Sequence, residues 1–317
     1  MREPESLGKL KLGAFPTPVQ YLGNMSRLLG INLYVKRDDL SGLGLGGNKV
    51  RKLEYLLADA LRKGAHTVFT TGGAQSNHAM LTAAACAKLG LASILMLKKR
   101  GVTEKRGNQL LNQLIGTRVI FIDTDDYADI YAEMDDMAQR GGDPSYYYKI
   151  PCGGSNALGT LGYVDCAKEL ASSGTHFDHI VCAEGSGGTM AGITLGAKLY
   201  LPGTRVHGMM VDTDPFDIIT QKLMAEAAEL LETDVKVSPE EYELMDMCGP
   251  GYARPSNEGR EAIELMASLE GIFLDPVYTG KAFAGLIKLA REGRFRKDEN
   301  VLFIHTGGAG GLFAVDM

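Results

Sequence analysis

The sequence predicts an α/β fold in which helices cover both faces of parallel sheets. Three observations carry that expectation. Short apolar strands alternate with helix-length amphipathic segments along nearly the whole chain, which implies parallel strands joined by helical crossovers. Glycines, 40 among 317 residues, cluster at 42–47, 72–73, 153–154, 185–188 and 307–311, where tight strand-to-helix turns bring backbone close to a ligand. The length suits one large α/β unit or two modest domains with ample core.

Residues 32–36 alternate as a strand. Behind the first glycine run, Leu53, Leu56, Leu57, Ala60 and Leu61 recur at the spacing of one apolar helical stripe. After Gly64 the pattern gives a strand at 67–70, a glycine turn, an Ala-rich helix at 77–89 and a strand at 92–97. A helix at 107–115, a strand at 118–122, a helix at 127–139 and a strand at 146–150 follow. Beyond Pro151 come a helix at 157–170 and a strand at 179–183, with further strands expected at 205–211, 272–274 and 301–305. There is no low-complexity linker or internal repeat, and Gly153-Gly154 reads as a hinge between domains.

Composition narrows the function. Lys plus Arg total 33 against 39 Asp plus Glu, a formal charge of -6, so a nucleic acid gains no global attraction and a small molecule is the expected partner. The five cysteines are an odd number without a CxxC pair, which predicts reduced structural thiols and no metal cluster. No apolar run approaches the roughly 20 residues of a membrane span, and the opening MREPESLGKLKLG lacks a signal-peptide core. A cytoplasmic protein with no membrane partner is expected.

Gly42, Gly44 and Gly47 satisfy GxGxxG, but the next strand ends in Thr71-Gly72-Gly73 with no acid to hold a ribose hydroxyl, so dinucleotide binding is not expected. Asn48 after Gly47 excludes a Walker A loop. Lys49 and Lys52 share a face of a first helical turn, where cations oppose the helix dipole. A solvated basic turn is the plain alternative, yet that placement points to a ligand that needs both. Ser186, Gly187, Gly188 and Thr189 follow the strand at 179–183 and open a helix, where free N–H groups and hydroxyls form an anion cradle. Gln75, Ser76, Asn77 and His78 exceed what capping one helix requires, which suggests a carboxylate-binding or catalytic loop. Tyr252, Tyr278 and Thr306 lie beside turn glycines, where open α/β sheets place ligands. Cys152 and the Met-rich stretch at 244–248 are read as packing.

A lysine at a glycine turn, a separate phosphate cradle and strand-end hydroxyls suggest pyridoxal phosphate held as a Schiff base. The segments GGNKVRKLEYLLADAL, GGAQSNH, GSGGTMAG, PGYARP, DPVYTGKA and FIHTGG, in that order from about Phe15 to near the end, resemble the D-cysteine desulfhydrase and 1-aminocyclopropane-1-carboxylate deaminase family. That resemblance implies the tryptophan synthase β-like fold, with two open twisted sheets flanked by helices. It implies a small domain at 57–163, a large cofactor-binding domain at 1–56 and 164–317, and a homodimer.

It further implies that Lys49 is the Schiff-base lysine and Lys52 a phosphate contact, with Asn77 beside the cofactor's phenolic oxygen. Ser76 with its neighbours Gln75, Asn77 and His78 would hold the substrate carboxylate, and Gly185 to Thr189 the phosphate. Tyr252 and Tyr278 match active-site tyrosines, and Thr306 the residue facing the pyridine nitrogen. A free lysine has a pKa of about 10.4, so an apolar, cation-lined pocket, with Arg51 and Lys52 contributing, must favour its neutral form.

The expected activity is a β-elimination converting D-cysteine to pyruvate, sulfide and ammonia. Opening of 1-aminocyclopropane-1-carboxylate, desulfonation of L-cysteate and a catalytically silent cofactor-bearing sensor are the alternatives. Two departures bear on the substrate. The deaminase branch has glutamate after DPVY, near the pyridine nitrogen, where this chain has Thr279. The desulfhydrase branch has Arg-Gln where this chain has Met80-Leu81.

Overall fold

The computed structural model describes residues 1–315. In chain order the principal elements begin with β1 (Val19–Tyr21), α1 (Gly23–Leu29), β2 (Asn32–Lys36) and α2 (Lys49–Arg62). Next come β3 (Thr67–Gly73), α3 (Asn77–Leu89), β4 (Ala92–Lys98), α4 (Asn108–Ile115), β5 (Arg118–Ile122), α5 (Tyr127–Arg140) and β6 (Tyr147–Ile150). The remainder is α6 (Ala157–Ala171), β7 (His179–Glu184), α7 (Gly188–Tyr200), β8 (Arg205–Met210), α8 (Phe216–Leu230), β9 (Tyr242–Asp246), α9 (Asn257–Glu270), α10 (Thr279–Arg291), β10 (Asn300–Ile304) and α11 (Ala309–Leu312).

The strands form two sheets, a six-stranded one ordered β1-β2-β10-β7-β8-β9 and a four-stranded one ordered β5-β4-β3-β6. Only the short edge strand β1 runs antiparallel, against β2, among the described pairings. Because the others within each sheet are parallel, their carboxyl ends share one edge. No helix among the described residues is long and apolar enough to cross a membrane.

Helices cover both faces of each sheet. On the larger one, Leu161, Val164, Ile193 and Met224 pack against Ile180, Val206 and Leu302, while Met25, Ile263, Met266, Phe283 and Leu286 pack against Val181, Met209 and Phe303. Alternation along the strands, Ile180 to one side and Val181 to the other, sets this division. On the smaller sheet, Leu53, Leu56, Leu57 and Ala60 of α2 meet Val68 and Ile150, whereas Ile130 and Met134 of α5 meet Phe69 and Met96. Truncating any of these fully buried leucines to alanine costs about 2–5 kcal/mol. The predicted stripe fails at its last member, for Leu61 is 40% exposed.

Helices α2 and α6 approach closely at Gly162, where an added Cβ would lie 2.6 Å from the carbonyl carbon and oxygen of Arg51. A side chain there would push α2, and with it Lys49, out of place. Residues 272–274, expected as a strand, pair in neither sheet. They run extended from the left-handed cap at Gly271 to the turn at Asp275, burying Ile272 and Leu274 without a ladder. Their apolar alternation, with Phe273 turned to the surface, serves to seat Ile272 and Leu274 in the core between α9 and α10 rather than to pair in a sheet.

Candidate active site

A cavity of about 450 Å³ opens where the carboxyl ends of the two sheets face each other. The loop after β2 supplies Asn48 and Lys49, that after β10 Thr306, and that after β7 Gly185, Ser186, Gly187 and Thr189. Tyr252 comes from beyond β9 and Tyr278 from the turn before α10. From the smaller sheet come Gly72 and Gly73 at the end of β3, Ser76, Asn77 and His78 beyond it, Arg100 after β4 and Cys152 after β6. Parallel strands thus deliver residues far apart in sequence to a single place.

Lys49 is the first residue of α2 and Lys52 stands one turn on. Burial pushes both ammonium groups below their ordinary values, and for Lys52 the charge of Lys49 adds to the effect. The buried Lys52 Nζ donates to the Gly153 carbonyl at 3.2 Å and to Ser155 Oγ at 3.1 Å. Arg51 takes no part, contrary to expectation, because its helical position turns it away from the cavity. Its Nε and Nη2 meet Asp38 at 2.8 and 2.9 Å, and its Nη1 meets Glu169 at 2.9 Å.

The glycine loop after β7 is shaped as a cradle. Gly187 opens α7 with φ +86°, and an added Cβ would lie 2.5 Å from Ile219 Cγ2. At Gly188 a Cβ would come within 2.8 Å of both Lys52 Nζ and Ser155 Oγ, filling the space those groups share. Ser155 Oγ accepts from the Gly188 N–H at 3.2 Å and lies 2.9 Å from Ser186 Oγ. Asn48 Nδ2 donates to Thr189 Oγ1 at 2.9 Å, joining the loop to the start of α2. Lysine, hydroxyls and helix N-terminus converge here as a phosphate requires.

Across the cavity, Ser76 Oγ caps α3 by accepting from the Ala79 N–H at 3.1 Å. Asn77 Oδ1 accepts from Asn108 Nδ2 at 2.7 Å, which orients its amide. His78 Nε2 is 2.8 Å from Thr70 Oγ1, while burial and the two lysines depress its basicity. Tyr252 and Tyr278 share a 2.5 Å hydroxyl hydrogen bond. Burial pushes Tyr252 up to about 12 and Tyr278 well above its ordinary value, so both stay protonated through neutral pH.

Three of the sequence-selected residues do not line the cavity. Lys52 and Gly188 stand behind it, forming the back of the cradle. Gln75 points elsewhere, donating to the carbonyls of Val102 and Arg106 at 2.9 and 3.1 Å and accepting from the Asn108 N–H at 2.8 Å. It fastens a loop and is not among the residues that line the cavity.

Thr279 also departs from expectation. Its hydroxyl is fully buried, donating to Asp275 Oδ1 and accepting from the Asp275 N–H, both at 2.7 Å, and so faces the turn rather than the cavity. Conversely, Cys152, read as packing, lines the cavity beneath the Tyr131 hydroxyl, which accepts its N–H at 3.1 Å. Sequence reasoning passed over Ser155, Asn48 and Glu184; position at a strand end or glycine turn was the available signal for all three.

A half-buried lysine whose ammonium form is disfavoured, beside a phosphate-shaped cradle, is the equipment of an enzyme that carries an aldehyde cofactor with a phosphate tail. The sequence model of the family described as pyridoxal-phosphate dependent enzyme matches residues 10–307, and the chain belongs to that family. Its cofactor is pyridoxal phosphate, and its architecture is the tryptophan synthase β-like one, fold type II. A protein of Pyrococcus horikoshii, named provisionally as a 1-aminocyclopropane-1-carboxylate deaminase, is 46% identical over 96% of this chain and 93% of its own length. A similarly named protein of Thermotoga maritima is 44% identical over 96% of this chain and 98% of its own. The crystal structure of an "ACC deaminase homologue" superposes with a TM-score of 0.91 at 44% identity, covering 99% of this chain and 97% of that one. Threonine deaminase isoform 2 of Solanum lycopersicum, 17% identical with a TM-score of 0.69 over 96% of this chain and 83% of that one, shares the fold.

Proposed function

We propose that the protein is a pyridoxal-phosphate-dependent lyase that removes a β-substituent and the amino group from a small amino acid, with D-cysteine as its substrate. D-Cysteine and water would give pyruvate, hydrogen sulfide and ammonia. The observation that carries the reading is the placement of Lys49, its positive charge disfavoured, across one cavity from the Tyr252–Tyr278 hydroxyl pair.

The bound cofactor supplies an aldehyde for amine chemistry and an aromatic ring that draws electrons from the substrate's α-carbon. Lys52 Nζ, Ser155, Ser186 and the amides opening α7 are the groups that would hold its phosphate. A neutral Lys49 Nζ would be nucleophilic toward that aldehyde and a base able to take the α-proton. The N-terminus of α3, with Ser76 and Asn77, offers donors and a favourable dipole to the substrate carboxylate. Tyr252, protonated at neutral pH, can give a proton to departing sulfur, and Tyr278 orients it through their hydrogen bond.

A second reading, 1-aminocyclopropane-1-carboxylate deamination, is favoured by the names of the two relatives above 40% identity. The neutral Thr306, which lines the cavity, supports elimination of a good leaving group over ring opening. The test is a panel of D-cysteine, L-cysteine, L-cysteate and 1-aminocyclopropane-1-carboxylate given to cofactor-loaded enzyme, with sulfide and 2-oxo acid measured. Sulfide and pyruvate from D-cysteine are expected; 2-oxobutanoate from the cyclopropane with D-cysteine inert establishes the second reading instead.

A further inference from the structure

Glu184, the last residue of β7, is an unusual neighbour for a phosphate loop. Its Oε1 accepts from the N–H groups of Ser186 and Gly187, at 3.1 and 2.5 Å, so a carboxylate already holds two of the donors that the loop offers an anion. Its Oε2 is buried without a hydrogen-bond partner, in a side chain that is 1% exposed and lines the cavity. Lys49 and Lys52 face it from α2, and Cys182 lies two residues back on its own strand. Burial already raises its proton affinity against the pull of the loop amides and the two lysines.

We propose that Glu184 takes up a proton when a phosphate monoester enters the loop, so that it answers the ligand as a hydrogen-bond donor and weakens cofactor loading as pH rises. This rests on the reading of the loop as the cofactor's phosphate site. A phosphate dianion beside a buried carboxylate is a like-charge contact, which favours the neutral acid. The unpartnered Oε2 is the atom that can carry the added proton and donate it to a phosphate oxygen. The proton comes from solvent, and no other bond changes.

Pyridoxine 5′-phosphate tests this without chemistry at Lys49, because it has the phosphate and ring but no aldehyde. Its Kd is measured from pH 7 to 9 for the wild type and for Glu184→Gln, whose amide keeps an acceptor for the two loop N–H groups and cannot ionise. The wild-type Kd is expected to weaken relative to the variant by about tenfold or more across that range, as linkage to one proton requires. The infrared difference spectrum of the wild type on binding should gain a protonated-carboxyl band, a readout that holds even if the variant folds poorly. Parallel pH profiles with no carboxyl band overturn the role of Glu184 and leave the phosphate site standing. Failure of both proteins to bind the probe overturns the phosphate-site reading together with this one.

Discussion

Asp38 and Arg51 lie side by side beneath the first turn of α2, joined by two hydrogen bonds of 2.8 and 2.9 Å, with Asp38 wholly buried and Arg51 4% exposed. The Tyr163 hydroxyl donates to the same carboxylate at 2.5 Å, and Glu169 of α6 meets the guanidinium from the other side. Arg51 stands between the two site lysines in sequence yet faces the opposite way. It anchors the turn from behind while Lys49 and Lys52 face the ligand.

Removing that anchor should be costly. Asp38→Asn is expected to destabilise the protein by about 3 kcal/mol near pH 7, since it leaves Arg51 buried with half its charge compensation gone. Against the cost of burial, Arg51 and then Lys36 hold the Asp38 carboxyl at about 2, below its ordinary 3.8. A depressed carboxyl stabilises the fold fully above its unfolded value and loses that contribution as pH falls through the folded one. Some 2 to 3 kcal/mol, roughly, should therefore disappear between about pH 4 and pH 2. Urea midpoints of both proteins across pH 2–7 check this: the gap should narrow below pH 4, and a constant gap refutes the assignment.

Lys49→Ala should purify without the visible absorbance of bound pyridoxal phosphate. Borohydride treatment followed by peptide mapping should label Lys49 in the wild type and nothing in the variant. Label on Lys52, which is more deeply buried and one turn away, would move the attachment site.

Gly188→Ala tests the cradle by volume alone. The added methyl meets Lys52 Nζ and Ser155 Oγ at 2.8 Å, and Lys52 can swing aside only by leaving the phosphate position. Cofactor affinity should fall at least tenfold, about 1.4 kcal/mol, with little loss of thermal stability, as read by dialysis and scanning calorimetry. Full cofactor retention would place the phosphate elsewhere.

Thr279→Val removes two buried hydrogen bonds to Asp275 and should cost about 1–3 kcal/mol in stability. The absorbance spectrum of the loaded enzyme should not shift, because the hydroxyl faces the turn before α10. A spectral change at constant stability would bring Thr279 back to the cofactor ring.

Much of this architecture was legible because its signals are local. The strand predicted at 32–36 is β2, and the helix predicted at 77–89 is α3 with Ser76 as its cap, since alternation and capping act over a few residues. The misses share a different cause. β1 has three residues with no apolar alternation of its own, and β9 sets Leu244 and Met245 side by side between Glu243 and Asp246, which breaks the period of two. Both are edge strands that neighbours recruit. Spacing put Lys49 and Lys52 on one face, but nothing in it said that Arg51 would find Asp38, Tyr163 and Glu169. Gln75 and Thr279 were misplaced for the same reason: the sequence names the polar group, while tertiary partners decide where it points.

Among the described residues, no strand ladder joins the six-stranded sheet to the four-stranded one. What spans the cavity between them is side-chain contact, including Ser155 Oγ to Ser186 Oγ, the Gly188 N–H to Ser155, and Tyr252 against Gly73. Behind the cavity the two sheets are tied by α2, which packs on the smaller sheet through Leu53, Leu56 and Leu57 and against α6 of the larger one through Tyr55 and Gly162. The site is thus a seam that is open at its front and closed at its back by one shared helix, and that helix begins with Lys49.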